Sequence, residues 1–205
     1  MADMTRIWPQ TMEGRFVRLE PLSEAHVPGL AAVGLDAGIW QYMLYGRMRG
    51  EDDIRRWVKD ILERAAAGSD APFAVVDLAS NRIAGATRYL DIRLEHRGLE
   101  IGGTWYGTAF QRTAVNSECK YLLLKNAFEN LGCIRVQFKT DSRNLRSQVA
   151  IERLGAVKEG TLRNHMVLPD GAIRHSVYYS ILDSEWPKVK AFLEDRLGYT
   201  GEPDR

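Results

Sequence analysis

The chain has 205 residues, 45% of them hydrophobic, with 28 Lys and Arg against 27 Asp and Glu and a net charge of +1. This composition fits one globular domain with a core of its own; it excludes a disordered chain and gives no electrostatic reason to expect a nucleic-acid partner. Two cysteines without a C-x-x-C pair, no apolar leader and no run of about eighteen apolar residues argue against a disulfide scaffold, secretion and membrane spanning, and point to the cytoplasm.

Residues 1–12 read as a flexible arm, 13–197 as a single domain and 198–205 as a polar tail, with no linker or internal repeat between them. Residues 16–19 form a short strand stopped by Pro21. Ser23 caps a helix running to about Leu35. Residues 36–50 hold Trp40, Tyr42, Met43 and Tyr45 in no regular period and make a loop with helical turns. Ile54, Trp57, Val58 and Ile61 fall on one stripe of a helix over 51–67. A hairpin follows, with strands 73–77 and 83–90 around a turn at 79–82.

The next strand, 99–106, carries Gly102 and Gly103 side by side, the mark of a bulge or of a backbone that something approaches closely. The strongest helix spans 116–130, with Cys119, Leu122, Leu123 and Ala127 on one face, Asn116 as its cap and Gly132 as its stop. A strand over 134–139 comes next, then a helix from Asp141 or Ser142 to Leu154. Strands 156–162 and 175–182 flank a turn at Pro169, Asp170 and Gly171, and a last helix over 186–197 opens with Pro187.

This order predicts a mixed α/β domain around one sheet. No G-x-G-x-x-G follows a strand and no G-x-x-x-x-G-K-[ST] occurs, which excludes a dinucleotide fingerprint and a P-loop. Four histidines without H-E-x-x-H or a spaced ligand set indicate no metal site. Arg47, Arg49, Arg55 and Arg56 form a modest basic cluster that Glu51, Asp52 and Asp53 cancel. The informative segment is the turn Gln111, Arg112, Thr113, Ala114, Val115 and Asn116, which leads strand 99–106 into a helix N-terminus. Unpaired N–H groups and the positive dipole end there suit an anion such as a pyrophosphate. Every strand-to-helix junction has such an end, so on this ground alone a ligand site and a plain connection both stay open.

Glu100, Ile101, Gly102, Trp105, the turn 111–116 and Glu118 are followed in order by Arg135, Val136, Asp141, Asn144, Ser147, Leu154, Gly155, Ala156, Glu159, Gly160, Leu162 and Arg163. This ordered set resembles the GCN5-related N-acetyltransferases (GNATs) over roughly Gly14 to Leu182, and within them the ribosomal-protein N-terminal acetyltransferase branch. The resemblance implies a mostly antiparallel seven-stranded sheet, splayed between its fourth and fifth strands and flanked by helices. It also implies acetyl-CoA as co-substrate, no metal, and a primary amine as acceptor, whether small molecule, aminoacyl group or protein N-terminus. The family's acyl-CoA signature has glycine where Ala114 stands and a small residue where Asn116 stands. A cradle made of backbone N–H groups tolerates alanine at negative φ, so a variant cradle that binds is expected.

In the family acetyl-CoA lies where strands 99–106 and 134–139 diverge. This implies contacts from Gly103, Thr104 and Trp105, from the cradle Gln111, Arg112, Thr113, Ala114, Val115 and Asn116, from Asn144 to the pantetheine arm, and from Arg112, Arg143 and Arg146 to CoA phosphates. Amine acetylation needs a neutral amine, a donor for the thioester oxygen and a proton for the leaving thiolate. Glu100 is the first candidate base, with His165 and His175 as alternatives and a water chain as a further route.

The tyrosine that many members use as general acid falls at Ile151, and a serine matching Ser147 stands near the sulfur in the ribosomal-protein branch. A serine bonding its own helix is the plain alternative for Ser147. A catalytic glutamate of that branch falls at Met166. Trp40, Tyr42, Tyr45, Tyr89, Trp105 and Tyr178 are expected to line the acceptor pocket, though about half of the tryptophans belong to the core. The competing reading is a non-catalytic acyl-CoA sensor or partner protein. Neither nucleic acid nor membrane is an expected partner, and a homodimer is compatible with the sequence.

Overall fold

Alternation of apolar and polar residues, as in Val136 and Phe138 against Gln137 and Lys139, gives each strand one face for each of two helical layers. The computed structural model describes residues 7–199. Its sheet runs β1 (Met12–Glu13), β2 (Val17–Pro21), β3 (Ala71–Asp77), β4 (Arg82–Arg93), β5 (Gly98–Tyr106), β6 (Arg135–Asp141), β8 (Ile173–Leu182), β7 (Val157–Val167), in that spatial order. Neighbours are antiparallel except β5 and β6, which are parallel. The expected mixed α/β architecture is present, and the strand beyond the expected seven is the two-residue β1.

Helices α1 (Val27–Gly34), α2 (Ala37–Trp40) and α3 (Glu51–Ala66) pack on one face through Leu30, Trp40, Ile54, Trp57 and Ile61. Glu51, Asp52 and Asp53 in the first turn of α3 complement its dipole. Helices α4 (Ala114–Lys125), α5 (Leu145–Glu152) and α6 (Trp186–Leu197) cover the other face through Cys119, Leu123, Ile151, Val189 and Leu193. Fully burying each such Leu or Ile contributes about 1.5–3 kcal/mol.

Several boundaries move. The cap of α4 is Thr113, whose Oγ1 accepts the Val115 N–H at 3.3 Å, so the helix starts two residues before Asn116. Its regular part ends at Lys125, and residues Asn126–Asn130 continue as a π-type turn. The cap of α5 is Asn144, whose Oδ1 accepts the Ser147 N–H at 3.1 Å, in place of Asp141 or Ser142.

Of the expected arm and tail, residues 7–12 and 198–199 are described; residues 1–6 and 200–205 lie outside the described residues. Ile7 is buried in the core, and Met12 pairs with Leu19. Gly198 closes α6 at φ +72, and the Tyr199 ring packs 5.4 Å from that of Tyr121. Glu118, a fully buried residue of α4, ties that helix to the chain entering β2 and to Tyr199. Its carboxylate accepts the N–H groups of Arg15, Phe16 and Val17 at 2.9, 2.7 and 2.6 Å, and the Tyr199 hydroxyl as well. Gly14 makes the room, since a Cβ there would sit 2.5 Å from Glu118 Cδ.

Candidate active site

The parallel ladder between β5 and β6 has three pairs: Gly98 with Arg135, Leu99 with Val136 and Glu100 with Gln137. Beyond Glu100 the strands part, and β6 continues on β8 as far as Asp141. A bulge in β5 accompanies the parting. Arg88 pairs with Gly102 and Ala86 with Trp105, so β5 spends one residue more than β4, and Gly103 takes φ +57. A side chain at Gly103 would be strained by that φ and would meet Arg88 Cζ at 2.9 Å. The glycine pair thus forms the irregularity that its sequence suggests.

Glu100 lies on the last rung and is 2% exposed. Its Oε2 accepts Gln137 Nε2 at 2.9 Å and pairs with Lys139 Nζ at 3.3 Å. The Lys139 ammonium stands 5.7 Å from the centre of the Tyr178 ring. The Tyr178 hydroxyl is 3.4 Å from His165 Nε2, and His165 Nδ1 is 2.9 Å from Ser176 Oγ. Arg174, buried, donates to Ser176 Oγ at 3.1 Å and to the Tyr42 carbonyl at 3.3 Å. These groups share the face of α1–α3, because they alternate with Leu99, Ile101, Val136, Phe138, Val177 and Tyr179 of the opposite core. Burial, then Lys139 and Arg174, hold the His165 imidazole below its ordinary range, with Glu100 working the other way. Burial and Glu100 raise the Tyr178 phenol.

The turn after β5 is braced from three sides. Gln111 Nε2 donates to the Tyr106 carbonyl at 2.9 Å, and Arg146 of α5 donates to Gln111 Oε1 at 2.9 Å. Arg112 adopts φ +63, and Thr113 Oγ1 donates to the Phe110 carbonyl at 2.8 Å. First-turn N–H groups have no intrahelical acceptor, and Thr113 satisfies that of Val115, which leaves those of Ala114 and Asn116. Ala114 is the first helical residue, where φ is negative and glycine is not needed.

Residues 17–157 match the family described as the acetyltransferase (GNAT) domain. The chain belongs to the GNAT family. A solved structure described as an acetyltransferase shares 42% identity over 95% of this chain and 98% of its own, with a TM-score of 0.86. Another so described, from T. thermophilus, shares 42% over 92% of this chain and 97% of its own, with a TM-score of 0.85. A GCN5-related N-acetyltransferase from Brucella melitensis shares 29% over 91% of this chain and 84% of its own, again at 0.85. None of the curated proteins matches the chain.

GNAT enzymes draw their acetyl group from acetyl-CoA, and the donors of this GNAT protein suit that molecule. Strands without a ladder beyond Glu100 can pair with its amides, and the first turn of α4, with Arg146 beside it, suits its pyrophosphate. Among the described residues, no group of three or more His, Cys, Asp or Glu is placed to hold a metal ion, and no helix is long and apolar enough to cross a membrane.

Glu100, His165 and Tyr178 therefore converge, with Tyr42 joined to them through Arg174. His175 does not join them. Along β8 it faces away from Arg174 and Ser176, and its Nδ1 accepts the Asn164 N–H at 2.8 Å. Trp40 and Trp105 are core, 2% and 4% exposed with ring centres 5.1 Å apart, and offer no surface to an acceptor. Tyr89 is fully buried on the opposite face and donates to the Leu123 carbonyl at 2.6 Å. Burial of large apolar area draws all three inward. Tyr45 is half-buried, with its hydroxyl on Arg88 and its ring 6.2 Å from Trp57.

Arg143 is held by the Asp141 carboxylate at 3.0 and 2.7 Å and lies 5.9 Å from the centre of the Tyr42 ring. Burial acts to raise Asp141, but Arg143 outweighs it and holds the carboxyl below its ordinary range. Asn144 spends its Oδ1 on the α5 cap, which leaves its amide N–H groups for another acceptor, and Ser147 stands half-buried in the first turn. Sequence reasoning missed Lys139 and Lys120. The signal for Lys120 was a lysine within the apolar stripe of a helix, four residues before Leu124.

Proposed function

We propose that this GNAT protein transfers the acetyl group of acetyl-CoA to a primary amine bound on the α1–α3 side of the splay, in a ternary complex, with Glu100 as the base. The observation that carries the reading is a buried carboxylate on the last rung before the strands part. Gln137 and Lys139 orient it, and it takes the amine proton directly or through a water. Backbone N–H groups at the Gly102 and Gly103 bulge are the assigned donors to the thioester oxygen as it gains charge. His165, held toward its neutral form, is the second acceptor of a proton on that side, reached through Tyr178. The N–H groups of Ala114 and Asn116, with Arg112 and Arg146, are assigned to the phosphates, and Asn144 and Ser147 to the pantetheine arm and the sulfur.

Within the GNATs, the resemblance to the ribosomal-protein N-terminal branch sets the framework but not the acceptor. Met166 stands where that branch carries a glutamate, which supports a different amine, and the Tyr42, Tyr45 and Tyr178 side suits a compact one. A panel of small amines, aminoacyl compounds and peptide N-termini, read by thiol release, tests this. Release with a small primary amine is expected. Acetyl-CoA binding without release for any amine supports the sensor reading instead.

A further inference from the structure

Lys120 lies six residues after Ala114, about 9 Å along α4 at 1.5 Å per residue. It is 6% exposed. Its Nζ donates to Thr104 Oγ1 on β5 at 2.7 Å and stands 5.9 Å from the centre of the Phe138 ring on β6. The amine therefore spans the two strands just past the rung where they part. Among the described residues no carboxylate comes within ion-pair distance of it. Thr104 and Phe138 are uncharged, and burial pushes the neighbouring Cys119 thiol up to about 12, so it stays neutral. The carboxylate of Glu100, on the other face of β5, is engaged by Gln137 and Lys139 and acts on Lys120 only through its field. A buried ammonium without a counter-charge is costly, and an apolar residue here would be the cheaper solution for stability alone. The anion that amine acetylation creates between these strands is the CoA thiolate.

We propose that Lys120 donates a proton to the CoA sulfur as the carbon–sulfur bond breaks. The inference rests on the splay being the acetyl-CoA cleft. The amine nitrogen forms its bond to the acetyl carbon, the electron pair of the C–S bond goes to sulfur, and an N–H proton of Lys120 joins it there. The proton lost by the attacking amine goes to Glu100, and solvent restores that of Lys120 after the thiol departs. Burial brings Lys120 down to about 8, with Glu100 working the other way. An acid near the range of a thiol, about 8.5, is matched to the transfer.

The test titrates the thiol of CoA bound to the full chain, read by thiolate ultraviolet absorbance, with calorimetry of CoA and desulfo-CoA binding beside it. Wild type is expected to ionise the bound thiol at lower pH than free CoA. Lys120→Met is expected to abolish that displacement, to keep desulfo-CoA affinity within about threefold, and to lower kcat by about tenfold or more. Lys120→Arg keeps the charge but does not release its proton, so it should keep the thiol displacement and still lose kcat. Identical thiol titrations in wild type and Lys120→Met, with CoA bound to both, overturn the role of Lys120 and leave the cleft standing. Full turnover in Lys120→Arg overturns proton donation. Failure of wild type to bind CoA at all overturns the cleft reading, and the inference with it.

Discussion

Glu100 and Gln137 face each other on the last rung of the β5–β6 ladder, and the Gln137 amide donates to the Glu100 carboxylate across it at 2.9 Å. The rung holds a buried carboxylate at the mouth of the splay in a single orientation. Glu100→Gln preserves the shape and removes the base. An alkyl amine has a pKa near 10.4 and is mostly charged at neutral pH, whereas an α-amine titrates near 7.7–8.0. The variant is expected to lose kcat/KM near neutrality, to recover part of it as pH rises, and to lose less with an α-amine. Profiles of kcat/KM against pH for one amine of each kind check this, and superimposable curves for both enzymes exclude Glu100 as the base.

Ala114 opens α4, where proline is accepted because the first-turn N–H has no helical acceptor. Ala114→Pro therefore deletes one donor of the cradle while sparing the helix. A hydrogen bond to a charged group is worth about 1.5–3 kcal/mol, so acetyl-CoA affinity should fall by about tenfold or more with little change in Tm. Calorimetry and thermal unfolding together give the answer. Unchanged affinity removes the pyrophosphate from this turn.

Glu118 ties β2 to α4 by accepting three backbone N–H groups, those of Arg15, Phe16 and Val17. Glu118→Ala takes the acceptor from the Phe16 and Val17 N–H groups, leaves that of Arg15 only the Tyr199 hydroxyl, and should destabilise the fold by about 3–5 kcal/mol. Gly14→Ala drives a methyl into the same carboxylate and should also destabilise. Denaturant unfolding measures both; a loss below about 1 kcal/mol for Glu118→Ala contradicts the account.

Lys120 carries a stability penalty whose pH dependence has a definite sign. Its folded value, about 8, lies below the ordinary 10.5, so between these the unfolded chain binds more protons and stability rises with pH. Below about 8 the full penalty applies, about 3 kcal/mol from the difference between the two values. Lys120→Met removes the charge and also the bond to Thr104, so a net gain of about 1–3 kcal/mol at pH 7 is expected. The gain should shrink as pH approaches 10.5. Unfolding at pH 7 and pH 10 tests this, and equal effects at the two values rule out a buried charge as the cause.

Local patterns in the sequence determined most of the elements of this protein. The stripe of Ile54, Trp57, Val58 and Ile61 specifies α3, and the paired Gly102 and Gly103 specify the bulge in β5, because helical period and backbone freedom are properties of neighbouring residues. The ordered set from Glu100 through the turn 111–116 and Asn144 to Arg163 pointed to the GNATs, and the family match over residues 17–157 agrees. Only the tertiary structure decided which side chains meet. A register shift in β7 between Leu162 and Met166, with Asn164 at φ +50, accompanies the placing of His165 on the Glu100 face, while His175 points away. Trp40 and Trp105 share the pattern of pocket aromatics with Tyr42, yet helices α1 and α3 close over them. Lys120 reads as one charge in a helix until β5 and β6 part around it. Strand pairing and burial join residues far apart in the chain, so the face a residue shows and the groups it meets arise only when the sheet and its two helical layers assemble.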